Sequence, residues 1–380
     1  MATGLSYVTF MHMNRRKFLS TSSLAAFAIT GSTSLPISAE AKPRQQALMK
    51  LGCQSAPTTD EHLKYLARYG VRHICGYPQI DSADGHTFPT VEDLNRMRDL
   101  AEKNHIEIVC VGPKILESSY IDREKHPAIM LAQSPARDRD IEGIQNLIRN
   151  CAHAGLPSIK YNMSILGVLR SGTRPGRGDE IDSVWKLSEA HPATPLTIAG
   201  RVDPDAFWER ITYFLDRIIP VANEYKIRMA CHPQDPGVPP EGYQGVDRVL
   251  GTVDGLKRFI TIQESPYHGL NFCQGTVSEM LADPGKEIYD VIRYFGGRDK
   301  IFNVHFRNIR GHRNDFVEVY PDEGDVDMVK AIRTYKEIGY QYMMMPDHVP
   351  TAASDPNGLQ SFAFCYGYIR GLIQSVDYFA

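Results

Sequence analysis

From residue 47 onward the chain alternates short apolar runs with longer amphipathic stretches. The runs at 47–53, 71–75, 106–111, 158–162, 227–232, 269–273, 301–307 and 340–346 read as strands. Between them, 60–69, 90–104, 139–154, 205–225, 286–295 and 325–338 carry the apolar spacing of helices. Gly70, Gly155 and Gly339 each close a periodic segment just before a strand, as helix stop signals do. Regular alternation of β and α predicts a parallel sheet. Eight such units in roughly 330 residues predict an α/β fold of the (β/α)8 TIM barrel type, a single domain over 42–380. An open doubly wound sheet is the main rival, but no GxGxxG follows the first strand, which removes the support for a dinucleotide fold.

Two segments depart from this rhythm. After the fourth strand, 164–203 is rich in glycine, with little apolar periodicity beyond a helical patch near 184–189. It leaves the strand on the side where barrels carry their active-site loops, so it reads either as an excursion that covers or lines the site or as a plain disordered insertion. At the N-terminus, Asn14-Arg15-Arg16-Lys17-Phe18-Leu19 precedes a mild apolar stretch at 24–29 and the small-residue site Ala39-Glu40-Ala41. These are the charged, apolar and cleavage regions of a signal peptide over 1–41, and the paired arginines resemble a twin-arginine signal. The expectation is export to the periplasm, with no stable membrane span because the apolar run is too short.

Composition adds exclusions. A net charge of −3 shows no basic excess for a nucleic-acid partner. Seven scattered cysteines with no CxxC spacing do not form a disulfide framework in a chain of 380 residues.

Candidate chemistry sits at strand ends. Four consecutive strands finish on a residue able to bind a metal: His232, Cys273, His305 and Asp347. They are about one strand–helix unit apart, so a closed barrel would bring them together at its C-terminal mouth. Two imidazoles, a thiolate and a carboxylate suit Mn2+, Fe2+, Zn2+ or Co2+ better than all-oxygen ions. Tyr161, near the end of the fourth strand, is either a proton-transfer or hydroxyl-orienting group or an aromatic that closes a barrel layer. The acidic run Glu318, Asp322, Glu323, Asp325 and Asp327 is best explained as favouring the N-terminus of the last barrel helix.

The segments IRMACHPQDP, GLNFCQGT, IFNVHFRN, EGDVDM and MPDH, in this order, resemble the bacterial mannonate dehydratases of the xylose isomerase-like barrel superfamily. The resemblance is clearest over 205–348. It implies one divalent metal, Mn2+ first, on His232, Cys273, His305 and Asp347, with His348 in proton transfer and Arg307 facing the substrate. It implies a hydro-lyase that removes water from a sugar acid, D-mannonate to 2-keto-3-deoxygluconate, or from a related exported sugar derivative. A sugar isomerase or epimerase and a non-catalytic sugar-binding barrel are the alternatives, and a homo-oligomer stays open. The family's RPDHG reads Met345-Pro346-Asp347-His348-Val349 here, its HPDDP reads His232-Pro233-Gln234-Asp235-Pro236, its Phe-His-Glu reads Phe316-Val317-Glu318, and a downstream tyrosine falls at Leu359. The family's aromatic and basic N-terminal signature is not visible around Leu51-Gly52-Cys53. The metal shell therefore carries over more fully than the substrate contacts.

Overall fold

The computed structural model describes residues 46–80, 87–191 and 194–378, so the signal-peptide expectation for 1–41 lies outside the described residues. In chain order the strands are β1 (Lys50–Ser55), β2 (His73–Gly76), β3 (Glu107–Val111), β4 (Ser158–Asn162), β5 (Gly172–Pro175), β6 (Glu180–Lys186) and β7 (Arg228–His232). They continue with β8 (His268–Cys273), β9 (Ile301–His305), β10 (Asn308–His312), β11 (Asp315–Val319), β12 (Met343–Met345) and β13 (Thr351–Ala352). Eight of them close a parallel barrel in the order β1-β12-β9-β8-β7-β4-β3-β2. This is the predicted TIM barrel, and Arg44–Ala380 forms one compact unit.

Helices start and stop where local chemistry dictates. Thr59 caps the helix Asp60–Arg68, Thr90 and Asp93 form a reciprocal capping box on Val91–Lys103, and Asp203 caps Pro204–Tyr225. Gly70, Gly155 and Gly339 take positive φ of 81°, 72° and 68°, a backbone state glycine adopts at no steric cost. Large apolar side chains on the inner helix faces, among them Phe207, Phe214, Phe259 and Phe295, are fully buried between the helices and the barrel.

The segment after β4 carries regular structure among its described residues. β5 and β6 pair antiparallel, and β6 also pairs with β11 and β13, giving a second sheet in the order β10-β11-β6-β13. Since β10 begins just after the C-terminal end of β9, this sheet stands at the end of the barrel where the candidate ligands lie. Its own small core is Val184, Val317 and Val319, and Trp185 is buried with its ring 5.6 Å from that of Tyr243. Of the two readings of 164–203, the structure takes the cover. Helices Val253–Thr261 and Leu359–Ser375 were not predicted. β9 also ends at His305 rather than at Arg307, so Arg307 leaves the barrel wall and lies in the turn into β10.

Candidate metal centre

Strand alternation decides what reaches the barrel mouth. His232, Cys273 and His305 end β7, β8 and β9, and Asp347 follows β12 by one residue beyond Pro346. One ligand atom from each of the four lies within 4.8 Å of the others. His232 Nε2 is 3.3 Å from His305 Nδ1, which is 3.1 Å from Asp347 Oδ2, and Cys273 Sγ is 3.9 Å from the same carboxylate oxygen. The outer contacts orient these atoms. His232 Nδ1 lies 2.7 Å from the carbonyl of Pro233, which fixes the proton there and leaves the Nε2 lone pair facing the other three. Gln54 donates to Asp347 Oδ1 at 3.1 Å, so Oδ2 is the oxygen turned to the cluster. His305 Nε2 pairs with the side-chain amide of Asn271 at 3.0 Å, and Cys273 caps the short helix Gln274–Ser278 by accepting from the Thr276 N–H.

The electrostatics favour anionic ligands. Burial pushes the Cys273 thiol up, but the Arg307 guanidinium and His305 outweigh it, so its pKa is lowered. Burial also opposes ionisation of Asp347, and His305, His348 and Arg307 together hold it well below the usual carboxylate range. Burial lowers His232 to about 4, keeping the imidazole neutral. The donor set fits a transition-type divalent ion: two imidazoles, a thiolate-prone sulfur and a carboxylate, each held by a second contact.

Beside this centre is a buried lattice of opposite charges. Asp235 Oδ2 is 2.7 Å from Arg307 and its Oδ1 is 2.7 Å from Arg170. Arg307 also meets Glu279 at 2.8 Å and Glu318 at 2.9 Å, while Arg170 meets Glu318 at 2.5 Å. Glu318 Oε1 in turn holds His348 Nδ1 at 2.5 Å. For His348, burial lowers the pKa, but the carboxylates of Glu318 and Asp347 raise it by more, to about 10. A cavity of about 170 Å3 opens onto both groups, lined by Gln54, Tyr77, Lys160, Asn162, Gln234 and His348 together with three of the candidate ligands.

Comparison with known proteins assigns the chain. The family profile of D-mannonate dehydratase (UxuA) matches residues 186–380. Mannonate dehydratase 2 of Halalkalibacterium halodurans is 30% identical over 309 residues, covering 73% of this chain and 86% of that protein. The chain belongs to the D-mannonate dehydratase family. The mannonate dehydratase of Thermotoga petrophila is 27% identical over 352 residues, covering 81% of this chain and 91% of its own length. Among solved structures, the mannonate dehydratase from Streptococcus suis serotype 2 superposes with a TM-score of 0.72 at 22% identity, covering 87% of this chain and 94% of that one. A xylose isomerase domain protein from Planctomyces limnophilus follows the same fold at a TM-score of 0.56 and 16% identity, over 87% of this chain and 99% of that one. As a family member the chain is a sugar-acid dehydratase, a hydro-lyase of a metal-dependent family.

Within this dehydratase the sequence-predicted residues divide clearly. His232, Cys273, His305 and Asp347 converge, and His348 lies beside them in the cavity. Tyr161 does not join them. The inward residues of β4 are Ser158, Lys160 and Asn162, so Tyr161 points out to the helices, its ring 5.5 Å from that of Phe214 and its side chain beside Cys231. Arg307 is corrected too. It is 3% exposed, does not line the cavity, and its terminal nitrogens face Asp235, Glu279, Glu318 and Thr276 while Nε lies 3.7 Å from Asp347 Oδ2, so it organises the acidic lattice beside the candidate ligands instead of facing a substrate.

The sequence reasoning missed Asp235, Glu279, Arg170, Gln54 and Lys160, and assigned Glu318 to a helix terminus. Asp327 does cap the helix Met328–Glu337 as that reading expects, whereas Glu318 sits in β11 and turns into the site. Period-2 parity along β4 was a usable signal for Lys160. Arg170 had none, because it precedes β5 in a segment without periodicity. Of the family departures, Gln234 ties two backbone segments, donating to Met163 O at 2.8 Å and accepting from Leu250 N at 2.9 Å. Val317 packs in the second sheet and Met345 is buried in the barrel.

Proposed function

We propose that this dehydratase removes water from a polyhydroxy acid of the D-mannonate type, or from a related sugar derivative met outside the cytoplasm, giving a 2-keto-3-deoxy product. The observation that carries the reading is the convergence of His232, Cys273, His305 and Asp347 within 4.8 Å at the mouth of a family barrel. The residues would hold one divalent ion, and Mn2+ fits the mixed nitrogen, sulfur and oxygen set. When bound, such an ion supplies Lewis-acid polarisation of a substrate oxygen next to the carbon that loses its proton.

The reaction takes a proton from C2 and expels the hydroxyl at C3, which leaves as water. An ionised carboxylate makes the C2 proton very weakly acidic, so both proton movements need positioned groups. His348 is placed for one of them. Its Nδ1 is held by Glu318, its side chain is 32% exposed, and it lines the cavity, which leaves Nε2 to exchange a proton with the substrate. Arg170 and Arg307 fix Glu318 on its other side, so the imidazole is anchored through a carboxylate that cannot swing away. Asn162 and Gln234 add neutral polar contacts for hydroxyl groups.

The twin-arginine segment at 1–41 supports export of the folded, metal-loaded enzyme. Changing Arg15 and Arg16 together to lysine is expected to retain the protein inside the cell, read by fractionation. The catalytic proposal is tested by incubating the Mn2+-loaded protein with a panel of aldonates and resolving products by mass. Loss of one water with a new carbonyl is expected; turnover at unchanged mass would overturn dehydration in favour of isomerisation.

A further inference from the structure

The wall of the cavity carries Asp235, Asp347, His232, His305 and His348, and among the described residues lining it Lys160 is the one lysine or arginine. A sugar acid brings its own carboxylate into this wall, and a desolvated anion needs a cation with a donor to spare. The nearby arginines are engaged. Arg307 and Arg170 are held by Asp235, Glu279 and Glu318, and Arg248 donates to the backbone carbonyls of Gly167, Asp235 and Pro236.

Lys160 differs in kind. β4 turns it inward, and its Nζ donates to Gln54 Oε1 and, at 3.2 Å, to the hydroxyl of Tyr77, both neutral groups. It makes no ion pair with a carboxylate among the described residues. An ammonium has three donors, so one is left for a ligand. Tyr77 donates to Gln54 Oε1 at 2.8 Å, and Gln54 donates to Asp347 Oδ1, so a single amide connects this corner with the candidate metal ligands.

We propose that Lys160, steadied by Gln54 and Tyr77, is the anion subsite of the cavity and grips the carboxylate of an aldonate whose adjacent carbons then lie toward the metal centre. This assignment rests on the sugar-acid reading above. It places substrate recognition on a lysine of the fourth barrel strand rather than on Arg307, which is buried, does not line the cavity and has its two terminal nitrogens paired with Asp235, Glu279 and Glu318.

The test compares binding of aldonates and of the matching alditols, which share the hydroxyl pattern but lack the charge. Calorimetric titrations use Mn2+-loaded wild type, K160Q and K160R, with metal content measured for each. Wild type is expected to bind at least one aldonate about 10-fold or more tightly than its alditol, the scale of one charge-assisted hydrogen bond. K160Q is expected to close that gap with alditol affinity and metal content unchanged, and K160R to keep much of it. A gap that persists in K160Q overturns the subsite and leaves the sugar-acid reading standing. If K160Q does not fold, K160R decides: loss of the gap in a variant that keeps the charge and the metal overturns the assignment. No gap in wild type also overturns it; if no aldonate is dehydrated either, the sugar-acid reading falls with it.

Discussion

Glu318 takes its role from what faces it across the fold. Its carboxylate is shared by His348, Arg170 and Arg307, so one substitution changes the proposed acid–base group and leaves two buried cations short of a partner. Glu318→Gln is expected to lower kcat by on the order of 100-fold or more while the metal content stays near wild type. Steady-state kinetics with metal analysis would check it, and an unchanged kcat would remove Glu318 from the proton path. Cys273→Ser exchanges a thiolate-prone sulfur for a hydroxyl and is expected to weaken metal retention and abolish turnover. Full metal content in that variant would count against the ligand role. His268, buried with Nε2 2.9 Å from the Phe259 carbonyl, has a pKa lowered by burial to about 4. The fold thus favours its neutral form, while the unfolded chain takes up a proton below about pH 6.5. The contribution is fully present above that pH and declines as pH falls toward 4, by about 3 kcal/mol at most. Denaturant titrations from pH 7 to 4.5 should show a shallower loss of stability in His268→Gln; equal slopes would refute the assignment.

At the scale of elements, the second sheet is the part of the molecule that periodicity did not reveal. β6 pairs with β11 and β13, which lie beyond β9, and that pairing is long-range, so no local pattern announces it. Its anchor is Trp185, fully buried against Tyr243. Trp185→Ala is expected to cost about 3–5 kcal/mol. Because Arg170 leads into β5 and reaches Glu318, the same change is expected to lower activity before it unfolds the barrel. Parallel measurements of denaturant midpoint and kcat would separate the two, and a variant with full activity and reduced stability would show that the sheet does not hold Arg170 in place. β4 carries the opposite lesson. Its alternation was readable from the start, yet Tyr161 stood out by residue type, whereas parity gives the lumen to Lys160 and Asn162.

For the whole molecule, the candidate metal centre joins β7, β8, β9 and the end of β12, four of the eight staves of the barrel. An ion bound there stabilises only the closed fold, because the unfolded chain cannot hold the four ligands together. Exhaustive dialysis against a chelator is therefore expected to lower Tm and abolish activity, with both restored by Mn2+ in a concentration-dependent way. A Tm indifferent to chelation and to Mn2+ would contradict a site built from these residues.

The eight barrel strands in order, the barrel they close and the four metal-capable residues at strand ends were legible in the sequence alone, because they rest on periodicity, on glycine and capping signals, and on residue types at fixed places in each unit. Tertiary structure added the second sheet and decided which groups those four residues face. The engagement of Arg307, the entry of Glu318 and Arg170 into the site, and the outward turn of Tyr161 depend on contacts between segments far apart in the chain. A side chain's register says which way it points, but its ionisation and its partners follow from the charges that packing brings within hydrogen-bond reach.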